Sequence, residues 1–305
     1  MTQHAAFLFP GQGSQYVGMG ADLCEAYPAA RDVYERAEEI LELPVKRISF
    51  EGPEDVLRET RYTQPAILTH SLAVLGALPG LVPAAVAGHS LGEYSALYAA
   101  GVLDFEAVLR LVKRRAELMW SEGDRNPGTM AAILGLEARA VEALCEEVDG
   151  VVVPANYNEP KQTVVSGEVP AVKAVAELAP RRGALKAVLL PVSGAFHSPL
   201  LRESAAEFTD FLAQFTVGTP RCPVVPNVSG NPTTDPQVIR AALAKQLTSP
   251  VRWVDTIAGL TGVGCAGGLE LGPGTVLKGL ARRIAREFVV TSVGTAEQVA
   301  GLLAG

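Results

Sequence analysis

The sequence predicts an α/β protein in two parts: a large unit built on a parallel sheet, and a small βαββαβ unit inserted into it. Three observations carry this prediction. Short apolar runs alternate with helical patterns through the first third of the chain, the order of a parallel sheet with helices on both faces. Across residues 128–190 the order becomes strand, helix, two strands, helix, strand. After residue 190 the first pattern resumes, so residues 1–127 and 191–305 read as one unit and 128–190 as an insertion.

In chain order, Ala5–Phe9 reads as a strand, Tyr27–Leu41 and Pro65–Leu78 as helices, and Ala84–Ala87 as a strand entering a tight turn. Glu93–Ala100 then reads as a helix and Phe105–Ser121 as a long amphipathic one. In the insertion, Thr129–Leu134, Val151–Ala155, Gln162–Ser166 and Ala184–Leu190 are predicted strands, with helices at Glu137–Val148 and Pro170–Leu178. That is the split βαβ, ferredoxin-like order. Helices near Arg202–Phe215 and Pro236–Leu247, then a strand–turn–helix over Leu269–Arg286, return the chain to the large unit.

Composition narrows the function classes. With 48% hydrophobic and 19% charged residues, the 305-residue chain has ordinary globular composition rather than that of a disordered segment. A net charge of −7 argues against nucleic acid as the main partner. The first apolar run, Ala5–Phe9, reads as a strand and not a signal peptide, and no segment approaches the roughly 18 apolar residues of a membrane span. Cys24, Cys145, Cys222 and Cys265 are scattered without a CxxC pair, which argues against disulfides and zinc and fits a reducing cytoplasm. The Gly-rich opening Pro10-Gly11-Gln12-Gly13-Ser14-Gln15 lacks both GxGxxG and GK[ST], so a nucleotide cofactor is not expected.

The strongest local signal is Gly88-His89-Ser90-Leu91-Gly92, between a predicted strand and a predicted helix. A G-x-S-x-G turn in that setting presents its serine as a nucleophile, and the helix N-terminus beneath it offers free N–H groups to a developing oxyanion. The bland reading is an ordinary Gly-rich βα turn. A serine hydroxyl needs a base. Of four histidines, His4 is terminal, His70 falls mid-helix and His89 adjoins Ser90, its side chain diverging from the turn. His197, in a loop after a predicted strand, remains. Loop histidines are often structural, but this one has no competitor.

Arg115 falls inside the apolar stripe of its helix, with Leu111, Val112, Leu118 and Met119, while Arg110, Arg114 and Glu117 form the solvated face. A buried guanidinium stays charged and requires an anionic partner. Two readings stand level: an internal salt bridge or a side chain that snorkels to water, and a clamp for a substrate carboxylate. A carboxylate close to an acyl carbon describes a malonyl group, and an acetyl group would leave the charge unpaired.

These residues resemble the bacterial malonyl-CoA:acyl carrier protein transacylases, the stand-alone loading acyltransferases of fatty acid synthesis. The matches run in order along nearly the whole chain: Pro10–Gln15, Tyr62–Ala66, Gly88–Glu93, Arg115 in its helix, then Asn156, Asn158, Pro160 and Gln162, Ala195–Pro199, Gln246, and Gly272–Gly274. The resemblance implies an α/β-hydrolase-like large domain, Ser90 as nucleophile, and His197 as base and acid with no third acidic member. A backbone carbonyl near Gln246 would orient the imidazole, and the N–H groups of Gln12 and Leu91 would form the oxyanion hole. Arg115 would clamp the malonyl carboxylate, with Gln64, Asn156, Phe196 and Gln246 as further substrate-binding positions; Phe196 matches the malonyl-selecting form of its loop. It also implies ping-pong transfer from malonyl-CoA to the phosphopantetheine thiol of an acyl carrier protein, no cofactor, and a cytoplasmic monomer. Two positions depart from the pattern. Trp120 stands where a smaller polar residue is expected and is read as reshaping the wall behind Arg115; Ser166 replaces a usual alanine.

The same residues admit three other readings. A serine esterase or thioesterase would place a triad acid between Ser90 and His197, and Asp149 and Glu168 lie in that interval but inside the insertion. A polyketide-pathway acyltransferase would share the chemistry and differ in its carrier. A non-catalytic carrier-binding module would not need Ser90, His197 and Arg115 together. For carrier docking two basic clusters stand out: Lys278, Arg282, Arg283 and Arg286, or Arg181, Arg182 and Lys186.

Overall fold

A computed structural model describes residues 4–192 and 194–304, apart from the side chain of Asp124; Ser193, in the loop leading to His197, and the N-terminal Met1–Gln3 lie outside the described residues. Its strands are β1 (Ala5–Phe9), β2 (Ala85–Gly88), β3 (Gly128–Leu134), β4 (Val152–Glu159), β5 (Gln162–Glu168), β6 (Lys186–Leu189), β7 (Gly267–Leu271) and β8 (Val289–Val293). They form two separate sheets. One is parallel in the order β2-β1-β7-β8, and the other is antiparallel in the order β4-β5-β3-β6. No described helix is long and apolar enough to cross a membrane.

The parallel strands are buried as parallel sheets require. Phe7 and Phe9 of β1 pack into the main core on one face, and Ala6 and Leu8 into a second cluster with Trp253 and Ile257 on the other. β1 and β2 end side by side, Phe9 opposite Gly88, so their following loops emerge together at the carboxyl edge of the sheet. The antiparallel sheet is amphipathic. Ala131, Ile133 and Val165 face a core closed by the helices Ala138–Glu147 and Val169–Arg181. The loop before the helix Trp253–Gly262 is fastened to the antiparallel sheet by backbone: Val251 donates to the carbonyl of Ala155 (2.8 Å) and accepts from the N–H of Tyr157 (2.9 Å).

The predicted strands and long helices are present, with boundaries shifted by a few residues. The predicted Pro65–Leu78 helix begins earlier, spanning Thr60–Gly76 with Pro65 inside it. Proline favours a first turn, which is why the sequence suggests a start there. In the structure, the Thr63 hydroxyl donates to the carbonyls of Leu57 (2.5 Å) and Glu59 (3.1 Å) and ties the early turn down. The short helices Ala21–Ala26, Val45–Glu51 and Glu54–Arg58 carry too few turns for a periodic signal, and β8 and the helices Trp253–Gly262 and Ala296–Ala304 also go beyond the sequence reading.

Candidate active site

The turn after β2 is built from glycines for steric reasons. A Cβ on Gly88 would overlap the backbone of Gly92, and one on Gly92 would overlap the carbonyl of Phe9. Strand, turn and the helix Gly92–Ala99 therefore close to backbone contact. Gly11, in the loop after β1, packs its missing Cβ against the carbonyl of His89. Ser90 at the apex has φ +50°, a left-handed conformation unfavourable for a residue with a side chain. Asn227 straps the turn in place: its Oδ1 accepts from the Ser90 N–H (2.6 Å), and its Nδ2 donates to the Gly88 carbonyl (2.6 Å).

The structure brings the chosen histidine to this serine. Nε2 of His197 lies 2.8 Å from Ser90 Oγ, and Nδ1 lies 2.9 Å from the carbonyl of Gln246 and 3.1 Å from that of Ser249. Carbonyls only accept, so the proton resides on Nδ1 and Nε2 is bare toward the hydroxyl. Burial, and then the Arg115 charge, lower the His197 pKa to about 3, so the imidazole is neutral at pH 7. Among the described residues no carboxylate bonds the ring. Glu168, a candidate triad acid, instead accepts from the backbone N–H of Val151 (3.1 Å). His70 and His89 are structural: His70 is wholly buried, and His89 bonds Asn158 (2.8 Å) and lies against the Trp253 ring.

Arg115 is 1% exposed and forms no salt bridge to any described acid. Its fork is held by neutral oxygens: Nη1 donates to Gln64 Oε1 (2.6 Å), and Nε and Nη2 donate to Gln246 Oε1 (3.3 and 3.1 Å). Nη2 also donates to Ser90 Oγ (3.0 Å). The internal salt bridge and the snorkelling side chain are thus both set aside. Arg110 and Arg114, on the opposite stripe, pair with Glu106 and Glu207 at the surface.

Ser90, His197 and Arg115 open onto a cleft of about 110 Å³ whose walls include Gln12, Leu91, Met119, Met130, Asn156 and Phe196. Gln64 and Gln246 lie behind Arg115, so every site residue expected from the sequence gathers here. The N–H groups of Gln12 and Leu91 have no hydrogen-bond partner among the described residues, which leaves both available to an anion near Ser90. The Phe196 ring packs onto Gly194, where a Cβ would overlap it. A wider cleft of about 370 Å³, with Tyr16, Glu54 and Arg58 on its walls, adjoins through Gln12, Leu190 and Val192.

The expectation for Trp120 needs correction. Its ring stacks under the Arg61 guanidinium, 5.1 Å away, and is no part of the cleft wall; Met119, its neighbour one helical step round, lines the cleft instead. Ser166 is buried opposite Met130 and also lies off the cleft. The sequence reading assigned no role to Met119, Met130, Asn227 or Glu93.

Comparison with known proteins identifies the framework. The acyl transferase domain family matches residues 6–303. The chain belongs to that family. A malonyl CoA-acyl carrier protein transacylase of Staphylococcus aureus strain MW2 is 40% identical over 299 residues, 97% of each chain. Among solved structures, a malonyl-CoA:acyl carrier protein transacylase of Xanthomonas oryzae superposes with a TM-score of 0.94 at 41% identity, covering 100% of this chain and 99% of that one. A malonyl-transacylase in complex with its type II PKS acyl-carrier protein gives 0.95 at 37% identity, with 99% of each chain covered. In this acyl transferase, then, the parallel sheet carries the Ser90 turn while β4 and the loop before His197 supply the opposite wall.

Proposed function

We propose that the protein transfers a malonyl group from malonyl-CoA to the phosphopantetheine thiol of an acyl carrier protein through a malonyl-Ser90 ester. The observation that carries this reading is a buried Arg115 with no acid of its own, 3.0 Å from Ser90 Oγ. It is placed for a substrate that brings a carboxylate close to its acyl carbon.

The steps use the chain's own groups and no cofactor. As Ser90 Oγ attacks the thioester carbon, its proton passes to His197 Nε2. The carbonyl oxygen becomes an oxyanion facing the Gln12 and Leu91 N–H groups. When the C–S bond breaks, the coenzyme A thiolate takes the proton from Nε2. The carrier thiol then enters, gives its proton to Nε2 and forms a new C–S bond, and the Ser90 Oγ–C bond breaks as the proton returns to Oγ. Arg115 has a parallel exchange. Once Oγ is an ester oxygen it is a weaker acceptor, and the Nη2 donor it held turns to the malonyl carboxylate. The wider cleft gives the pantetheine arm a route to Ser90.

The carrier docks, in this reading, on the basic cluster at the end of β4. Lys161, Arg282, Arg283 and Arg286 surround one surface cleft, with Arg283 paired to Glu159. Glu159 lies three residues along β4 from Asn156 in the active-site wall, about 10 Å at strand spacing. In the other cluster Arg182 is engaged by Glu147. Reversing Arg282 and Arg286 to Glu should raise the KM for carrier protein and spare malonyl-CoA loading; an unchanged KM would remove this docking site. The likeness to a polyketide-carrier complex keeps a second pathway in view. Comparing kcat/KM for fatty acid and polyketide carriers separates the two. A reducing cytoplasm suits the four cysteines, all free and buried.

The deciding experiment is incubation with malonyl-CoA alone, then intact mass measurement and peptide mapping. A malonyl adduct on the Ser90 peptide is expected. Free malonate without adduct would indicate a hydrolase, and neither adduct nor turnover a binding module.

A further inference from the structure

We propose that Glu93 is a positioning residue for malonyl recognition: it locks the Gln246 side-chain amide in the one orientation that presents oxygen to Arg115. The proposal rests on the reading of Arg115 as the carboxylate clamp.

Glu93 occupies the first turn of the helix beneath Ser90 and is 1% exposed, yet the transfer steps never use it. Its Oε2 accepts from Gln246 Nε2 (2.7 Å) and from the backbone N–H of Asn227 (3.2 Å), and Oε1 has no partner among the described residues. The second Nε2 hydrogen of Gln246 goes to the Ser90 carbonyl (3.1 Å). With both amide hydrogens committed to the Ser90 carbonyl and to an ionised Glu93, neither of which can donate, only Oε1 is left to face Arg115, where it takes two bonds. A flipped amide would aim N–H at a guanidinium and oxygen at a carboxylate, two repulsive contacts inside a buried site. Gln64 is held similarly: its Nε2 donates to Met119 Sδ (3.3 Å), leaving its Oε1 for Arg115. The guanidinium plane is thus fixed by two amides, and Glu93 is the anchor of the one that bonds it twice.

Glu93→Gln keeps the shape and removes the constraint, because a glutamine at 93 can donate to a flipped Gln246 oxygen. One effect opposes this. Loss of a negative charge near Arg115 favours an incoming carboxylate. Burial raises the Glu93 pKa to about 7, so the carboxylate that holds the amide is fully formed only above neutral pH, and Glu93→Asp, which keeps the charge, isolates the orientation effect from the charge effect.

The test measures Ser90 acylation at about pH 8.5, where Glu93 is ionised, with malonyl-CoA and with acetyl-CoA in wild type, Glu93→Gln and Glu93→Asp, with melting temperatures alongside. Aspartate keeps the charge but falls about 1.5 Å short, one carbon–carbon bond of reach. Malonyl loading should fall about tenfold in either folded variant while the slower acetyl loading stays level, the equivalent of losing one charge-assisted hydrogen bond. In an Arg115→Met background the substitution should change neither rate. Equal loss of both substrates would make Glu93 merely structural and overturn the proposal, as would an unchanged or increased malonyl preference. If wild type itself showed no malonyl preference, the reading of Arg115 would fall first, which a failure confined to the Glu93 variants would not bring about.

Discussion

Replacing Arg115 with methionine removes the charge but keeps an unbranched side chain in the cleft wall. In wild type the guanidinium makes four bonds to neutral oxygens and none to an acid. A malonyl carboxylate arriving at the fork adds two charge-assisted hydrogen bonds, each worth roughly 1.5–3 kcal/mol. Moving Nη2 away from Ser90 Oγ offsets about 1 kcal/mol of that. A net of about 2–5 kcal/mol corresponds, at roughly 1.4 kcal/mol per decade, to about a thirtyfold to four-thousandfold loss of malonyl loading. Acetyl loading should change little or rise, because the unpaired charge that opposes an acetyl group is gone. The assay is the burst of acyl-Ser90 resolved by quench and intact mass, run with both thioesters. If the methionine variant still preferred malonyl over acetyl by the wild-type factor, the carboxylate clamp would be refuted, whatever happened to the absolute rates.

Other perturbations test other parts of the site. Ser90→Gly and Ser90→Ala should both abolish acylation, but Gly should be the more stable by about 1 kcal/mol in chemical denaturation, since only Gly accepts φ +50° freely. Burial first and Arg115 second lower the His197 pKa to about 3, so acetyl loading, which does not depend on Glu93, should show no acidic limb near 6.5 and persist to about pH 5; a fall centred on 6.5 would contradict this. His70 is wholly buried with a pKa lowered to about 4 by burial. The unfolded chain protonates it near 6.5, so the folded state loses stability as pH falls from about 6.5 to 4, by about 3 kcal/mol in all. His70→Leu should flatten that part of a stability–pH curve measured by urea unfolding, and an unchanged slope would show that His70 is not its source.

Much of this site could be read from the residues because its parts break local rules. Ser90 lies between glycines that no ordinary turn needs, and Arg115 is a cation in an apolar stripe; both anomalies mark the same cleft. Glu93 breaks the same rule, a lone carboxylate entering an almost wholly apolar helix, and the reasoning applied to Arg115 reaches it equally well. Asn227 and the Ser249 carbonyl carried no such signal. Each acts from irregular backbone, and a carbonyl that orients an imidazole is a property of chain path, which every residue type can supply. Trp120 misled for a geometric reason: one residue further along a helix turns a side chain by about 100°, out of the cleft and under Arg61. The sheets were legible from periodicity in the strands, whereas short helices such as Glu54–Arg58 owe their form to packing.

The stretch from Gln246 to Val251 supplies the carbonyls that aim His197, and its last residue is stitched to β4. One strip of backbone therefore both aims the base and fastens the antiparallel sheet. Pulling β4 away from this strip to admit a bulkier acyl chain would drag on the Val251 bonds and swing the imidazole off Ser90. A guest large enough to force that separation would then disarm the base that has to react with it.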